Sequence, residues 1–168
     1  MPAVEFTGIQ SGIAMCCCPA SIEVMKSTDL ALSRVLGIVE APPDAEHVLE
    51  LPFTPAVQNH LGTVHAAVQF ALAEAASAER LQRDFGACLP NEPIMPVVRG
   101  SEVKYRHAAT GDLLAFAQPD ALTRQHLAND LQKRSRSSAT VLVELKDRSG
   151  QTTFTGRFEW LIAKITTP

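Results

Sequence analysis

One acidic side chain stands out on an otherwise apolar stretch of the chain. Glu74 is the only ionisable residue between His65 and Glu79, and most of its neighbours are alanine, valine, leucine or phenylalanine. Burial of an unpaired carboxylate raises its pKa, which favours the role of a general base. The alternative, which the sequence leaves open, is that Glu74 lies at an exposed edge and only makes the helix more soluble.

A second group of candidate residues directly precedes this stretch. The segment 59–67 has the sequence NHLGTVHAA. Asn59 and Gly62 suit a turn, and Thr63 suits the N-cap of a helix. Free backbone N–H groups at a helix start can bind an anion or a polarised carbonyl oxygen. The small side chain of Ala66 would let such a group approach the backbone closely.

A single long helix is predicted to carry both groups. Residues 63–85 are rich in good helix formers, and Gly86 provides a stop signal. Nearly every position in 64–78 is apolar, which is typical of a helix that is buried on most sides. Charged residues return at Glu79, where the helix is expected to emerge into water.

Angular spacing on this helix separates the two groups. His65 and Glu74 are nine residues apart, which places them on opposite faces and about 13 Å apart along the axis. One chain therefore cannot easily bring both to one small substrate. Two antiparallel helices related by a two-fold axis could each supply Glu74 to the other's 59–66 segment.

The rest of the chain reads mainly as strands. In 153–163 apolar residues alternate with polar ones, as in a sheet with one covered face. The other predicted elements are helices at 30–36 and 120–133 and strands at 47–51, 97–106, 113–118 and 140–145. A long apolar helix followed by antiparallel-type strands indicates an α+β fold in which the sheet wraps around the helix.

Composition restricts the class of protein. The chain has 168 residues, 46% of them hydrophobic, and a net charge of −3, which suits a globular protein and disfavours general nucleic-acid binding. No apolar run approaches the about 20 residues of a membrane span, and the first 25 residues contain no lysine or arginine. We therefore expect a cytoplasmic protein without nucleic-acid or membrane partners. Residues 1–26 are expected to form a poorly ordered tail before one domain over 27–168.

Several common catalytic and metal-binding patterns are missing from the sequence. The four cysteines show no C-x-x-C spacing, so neither a structural zinc site nor a disulfide framework is expected. The motifs of α/β-hydrolases, P-loop NTPases, dinucleotide-binding folds and zincins are also missing. We expect no metal.

The pattern around the long helix resembles the hotdog-fold family of acyl-CoA thioesterases, especially its phenylacetate-pathway-like branch and related uncharacterised bacterial domains. The matching residues are Asn59, then Gly62-Thr63-Val64-His65, then Leu72-Ala73-Glu74. Their spacings, six from the asparagine to the histidine and nine from the histidine to the acid, match those of the family. The resemblance covers about residues 28–164 and implies a hotdog fold, with a long central helix inside a curled antiparallel sheet.

The resemblance also implies a role for each matching residue. Glu74 would be the general base or the nucleophile at the thioester carbonyl, and Asn59 would orient the attacking water or the substrate. The backbone N–H of Ala66 would form the oxyanion hole, and His65 would hold the loop in shape. The family's site is shared across a dimer, which agrees with the angular argument and implies a homodimer or a dimer of dimers.

Further residues could bind the rest of an acyl-CoA substrate. Gly62 and Thr63 are expected in the substrate-binding turn. Lys133, Arg134 and Arg136 form the only dense basic cluster and could bind the phosphates of CoA; a solvated loop is the commoner role of such a cluster. CoA would enter as part of the substrate, and no separate cofactor is expected.

Two departures from the family pattern keep other functions open. Ala66-Ala67 stand where the family usually has two glycines, and their methyl groups narrow the approach to the backbone. Glu74 stands where aspartate is commoner. Hydrolysis of an acyl-CoA remains the first expectation, because the resemblance implies it. A non-catalytic acyl-CoA binding module is the alternative, and a hydratase or dehydratase of the same fold is a weaker one.

Overall fold

The described residues form six strands and three helices. The computed structural model describes residues 26–86, 94–134 and 136–164. Its helices are α1 (Ala31–Leu36), α2 (Ala66–Phe85) and α3 (Ala121–Lys133), with short 3-10 turns at Ser27–Asp29 and Pro55–Val57. Its strands are β1 (Val39–Glu40), β2 (Leu49–Leu51), β3 (Ile94–Tyr105), β4 (Leu113–Pro119), β5 (Arg136–Asp147) and β6 (Thr152–Lys164).

All six strands belong to one antiparallel sheet. Their order is β1-β2-β4-β5-β6-β3. β3 pairs only with β6, from Ile94 opposite Lys164 to Tyr105 opposite Phe154. Among the described strands, β1 and β3 are therefore the sheet edges, and β3, with 12 residues, is much the longer of the two.

The inner face of the sheet is apolar and covers α2. In β6 the side chains of Phe154, Phe158, Trp160 and Ile162 are all buried, which confirms the predicted alternation. Gly156 lies between two of these rings, and a Cβ there would come within 2.8 Å of Phe158 and 2.9 Å of Phe154. The predicted arrangement, a curled antiparallel sheet around one long helix, is confirmed.

The start of α2 differs from the prediction. The helix begins at Ala66, and its N-cap is His65 rather than Thr63. The predicted end is correct, because α2 ends at Phe85 and Gly86 is its C-cap. α2 packs mainly on β4 and β5, with Leu72, Ala73 and other small residues fully buried against the sheet.

The prediction that α2 emerges into water at Glu79 is wrong. Glu79 is only 5% exposed, and its carboxylate pairs with Arg83 at 2.9 Å, one helical turn later. The Ser27 N–H also donates to this carboxylate at 3.5 Å. The cause is tertiary, since the turn Ser27–Asp29 folds over this part of the helix.

The remaining predicted elements deviate only at their ends, whereas the short strand β1 and the turn Pro55–Val57 were not predicted. α1 ends at Leu36, and its C-cap Gly37 has a φ of +71°, the left-handed conformation of a glycine C-cap. β2 is shorter than predicted, while β5 begins four residues earlier, at Arg136. Apart from Lys26, the expected tail over residues 1–26 lies outside the described residues. Within the described chain, no helix is both long and apolar enough to span a bilayer.

Candidate functional site

The turn before α2 is held together by the side chain of Asn59. Its Oδ1 accepts hydrogen bonds from the N–H groups of Leu61 at 2.9 Å and Thr63 at 3.2 Å, and its Nδ2 donates to Thr63 Oγ1 at 2.9 Å. Gly62 has a φ of +72°, a conformation that glycine adopts without strain. The Thr63 hydroxyl, predicted to cap the helix, is part of this turn instead.

Backbone hydrogen bonds fix the turn to the rest of the molecule. Val64 N–H donates to the carbonyl of Ala109 at 2.8 Å, and His65 N–H donates to the carbonyl of Val57 at 2.9 Å. The buried Gln69 side chain donates to the carbonyl of Val64 at 3.3 Å. The position at which α2 begins is thus set by contacts with distant segments.

The first turn of α2 presents an open hydrogen-bond donor. His65 caps the helix by accepting the Ala67 N–H at its Nδ1, at 3.1 Å. In the described part of the chain, the Ala66 N–H has no acceptor, and both alanines are exposed. Tyr105, on β3, donates its hydroxyl to the carbonyl of Ala66 at 3.2 Å. An exposed N–H at the positive end of a helix is suited to a developing oxyanion.

Glu74 lies further along α2 and is half-buried. Across the described residues, its carboxylate has no hydrogen-bond or ion-pair partner. Burial raises the pKa of Glu74 above its ordinary value of 4.5. The side chain lines an apolar cavity of about 90 Å³ that Leu30, Ile38 and Trp160 also border. A desolvated carboxylate of this kind can accept a proton or attack a carbonyl carbon.

The structure brings some of the predicted site residues together and separates others. Asn59, Gly62, Thr63, His65 and Ala66 meet at the start of α2. Glu74 does not join them within one chain. Because α2 is continuous from Ala66 to Phe85, nine helical residues still place Glu74 opposite His65 and about 13 Å away along the axis.

The predicted basic cluster lies at the other end of the sheet. Lys133, Arg134 and Arg136 are exposed. Arg136 pairs with Ala163 on β6, whereas the start of α2 lies near the Phe154 end of that strand. At about 3.3 Å per residue, the nine residue steps from Phe154 to Ala163 span about 30 Å. One chain therefore does not place this cluster beside Ala66.

Sequence reasoning missed a second basic group, which lies closer to Ala66. Lys104, Arg106 and Arg157 line an open pocket of about 210 Å³ on the outer face of β3 and β6, together with Glu102. Lys104 and Arg106 flank Tyr105, which contacts the start of α2. The alternation of charged residues at 102, 104 and 106 is the signal that would have placed them on one strand face.

No metal site is evident in the parts of the chain that the structure covers. There, no three histidine, cysteine, aspartate or glutamate side chains lie together in a way that could hold an ion.

Comparison with protein families gives one match. The profile of the family described as a domain of unknown function, DUF4442, matches residues 36–162, well over half of the chain. No curated protein matches the chain.

Comparison with solved structures gives many matches. A probable thioesterase from Pseudomonas aeruginosa aligns with a TM-score of 0.67 and 20% identity over 83% of this chain and 91% of its own. A Bacillus halodurans protein solved with CoA aligns with a TM-score of 0.60 and 18% identity over 78% and 74%. A Staphylococcus aureus thioesterase, solved as a glutamine-to-alanine variant, aligns with a TM-score of 0.59 and 18% identity over 79% and 98%. Likenesses at such identities establish the fold, which is the hotdog fold.

Proposed function

We propose that this chain, which belongs to the family described as the domain of unknown function DUF4442, hydrolyses an acyl-CoA thioester to the free acid and CoA. The proposal rests on one observation: the half-buried carboxylate of Glu74 lines an apolar cavity and has no hydrogen-bond or ion-pair partner among the described residues. Solved proteins of the same fold that are named thioesterases, and one solved with CoA, support the reaction class.

The proposed chemistry divides the work between a helix start and a carboxylate. The thioester oxygen accepts the Ala66 N–H, and the positive end of α2 stabilises the charge that develops on it. Glu74 either takes a proton from the attacking water or attacks the carbonyl carbon itself. In the first route the new C–O bond replaces the C–S bond, and the proton passes from Glu74 to the departing sulfur. In the second route a bond from the Glu74 oxygen to the acyl carbon replaces the C–S bond and CoA leaves as the thiolate; water then cleaves the resulting anhydride, which releases the free acid, restores the carboxylate and supplies the proton to the thiolate.

A two-fold related copy would supply the missing half of the site. β3 is a long edge strand that exposes apolar side chains such as Val97, and edges of this kind readily pair with another chain. Tyr105, on the same strand, touches Ala66. A second copy added at this edge would lie beside the start of α2, where its own Glu74 could complete the site. We therefore include a homodimer, or a dimer of dimers, in the proposal.

The phosphates of CoA require cationic partners. Lys104 and Arg106 are the first candidates, because they lie at the strand end that meets the start of α2; their side chains are on the outer face of the sheet, so a bound CoA would reach them around the edge strand β3. The group of Lys133, Arg134 and Arg136 could take this role only in an assembly that brings a second copy's cluster to the site.

The spacing of substituted residues in a neighbour provides further support. The Staphylococcus aureus protein was solved as variants in which alanine replaces a glutamine at its position 32 and a glutamate at its position 47. These positions are fifteen residues apart, as are Asn59 and Glu74. Asn59, which holds the turn before α2, and Glu74 thus have the spacing of a pair that was substituted in a thioesterase.

Release of free CoA from a panel of acyl-CoAs tests the proposal. Glu74→Gln should lower kcat by about 10²- to 10⁴-fold, as expected for the loss of a general base, while circular dichroism remains unchanged. Glu144→Gln is the matched control, because it makes the same charge change on an exposed residue of β5. Wild-type turnover in Glu74→Gln, or no turnover of any acyl-CoA by the native protein, would contradict the proposal.

A non-catalytic acyl-CoA binding module is the second candidate. It is favoured by the side chain of Asn59, which holds the turn through Thr63 and Leu61, and by the two exposed alanine methyl groups at the helix start. Calorimetry distinguishes the two functions: saturable binding of acyl-CoA without release of CoA supports the binding module, and hydrolysis excludes it.

A further inference from the structure

The cavity beside Glu74 is formed by three segments of the chain. Its wall contains a set of small and apolar residues with one carboxylate and one hydroxyl: Leu30, Leu32, Ser33, Ile38, Ala71, Glu74, Ala75, Ala78 and Trp160. The first four come from the region of α1, the next four from α2, and the last from β6. The space therefore lies where the amino-terminal segment crosses the central helix.

Small residues on one face of α2 leave this space open. Ala71, Ala75 and Ala78 recur at the spacing of a single helical stripe. Trp160 forms the floor of the cavity and is held in place, because it is only 6% exposed and its indole N–H donates to Ser77 Oγ at 3.0 Å. The rim is open, since the Leu32 side chain is 58% exposed.

The amino-terminal wall is docked by polar contacts away from the cavity. Ser27 N–H donates to the Glu79 carboxylate, and Lys26 forms an ion pair with Glu40 at 2.9 Å. The leucines of this wall are therefore held in place by contacts that a substitution at Leu32 leaves intact.

We propose that this cavity receives the acyl tail of the thioester and restricts the substrates to short aliphatic acyl groups. This inference rests on the proposed function and identifies its substrate class. An apolar cavity of about 150 Å³ binds one benzene ring, so 90 Å³ corresponds to about three or four carbons. The apolar lining excludes charged tails, and the Glu74 carboxylate repels acyl groups that end in a second carboxylate.

Two substitutions change the size of the cavity in opposite directions. Leu32→Ala removes part of the rim and should move the preferred straight-chain acyl-CoA about one or two carbons longer, because each methylene in an apolar pocket is worth about tenfold or more in kcat/KM. Ala78→Leu fills the space and should lower kcat/KM for butyryl-CoA at least about tenfold while sparing acetyl-CoA. Val35→Ala is the matched control, since Val35 is on α1, is 78% exposed and does not line the cavity.

The experiment measures kcat/KM from acetyl-CoA to octanoyl-CoA, together with succinyl-CoA and phenylacetyl-CoA, for the native protein and the three variants. The native protein should prefer tails of up to about four carbons and should discriminate against succinyl and phenylacetyl groups at least about tenfold. If Ala78→Leu loses its cooperative melting transition, Ala71→Val fills the same space with less added volume.

The possible outcomes separate this inference from the proposed function. The acyl-tail assignment is overturned if the native protein prefers octanoyl-CoA or phenylacetyl-CoA. It is also overturned if Leu32→Ala and Ala78→Leu, or Ala71→Val in its place, show the same dependence of kcat/KM on acyl-chain length as the native protein. If no acyl-CoA is hydrolysed, the proposed function fails. In that case the ranking of acyl-CoA affinities in the same proteins, measured by calorimetry, decides whether the cavity holds the tail.

Discussion

Two glutamates on α2 illustrate how a charge can serve structure or chemistry. Glu79 is the more buried, but Arg83 and the Ser27 N–H satisfy its carboxylate. Glu74 is half-buried and has no such partner in the described chain. A carboxylate that loses hydration without compensation destabilises the fold. An unpaired group of this kind is expected where function requires it.

The raised pKa of Glu74 predicts how its removal changes stability with pH. The folded state holds the Glu74 proton more tightly than the unfolded state, so this group favours the fold only at low pH. That contribution is lost as pH rises from about the ordinary value of 4.5 through the raised pKa of Glu74. Glu74→Gln should therefore raise the free energy of unfolding at pH 7 by less than about 1 kcal/mol, since the residue is only half-buried and solvent screens its charge.

Urea unfolding at a series of pH values measures this difference, with Glu144→Gln as the control. The increase in the free energy of unfolding that Glu74→Gln produces should shrink as the pH falls and disappear below the ordinary pKa of glutamate. A variant that is less stable than the native protein at pH 7 would show instead that the Glu74 charge supports the fold.

At the scale of elements, sequence patterns predicted the structure where the signal is local. The alternation from Phe154 to Ile162 identifies β6 and its buried face. The start of α2 was placed at Thr63 because threonine is a good N-cap. Hydrogen bonds to the distant carbonyls of Val57 and Ala109 move the start to Ala66, and no local pattern contains that information. The burial of Glu79 has the same kind of tertiary cause.

A proline at the first position of α2 should remove the proposed oxyanion donor without removing the helix. Ala66 is the first residue of α2, a position at which proline is tolerated because its missing N–H has no helical partner. His65 has an extended ψ of 139°, which suits a residue before proline. Ala66→Pro should lower kcat by about 10²- to 10³-fold, as the loss of one oxyanion donor does, with little change in the melting temperature.

Ala121→Pro is the matched control, because Ala121 is the exposed first residue of α3 and follows an N-cap with an extended ψ of 171°. It should keep native activity. Near-native turnover in a folded Ala66→Pro variant would exclude the backbone of Ala66 as the donor and would place the oxyanion elsewhere.

At the scale of the whole molecule, strand order decides which residues are neighbours. The sequence reveals that the chain has several strands, but it does not show that β3 lies at the edge beside β6. That order brings the end of β3 that carries Tyr105 to the start of α2, with Lys104 and Arg106 on the outer face of the same strand end, and leaves Arg136 about 30 Å away. The shared site therefore stays a prediction that depends on how two copies assemble, and the edge strand identifies where they would meet.

Mixing two inactive variants tests the shared site directly. If each site takes Ala66 from one protomer and Glu74 from its partner, a heterodimer of Glu74→Gln and Ala66→Pro contains one site with both defects and one with none. Random exchange makes half of the dimers mixed, so the mixture should recover about a quarter of native activity. Native mass spectrometry verifies that subunits have exchanged. If the site lay within a single chain, every site in the mixture would keep one defect. An exchanged mixture that is no more active than its parents would therefore exclude the shared arrangement. Glu74 and Ala66 would then remain the acting groups, but within one chain.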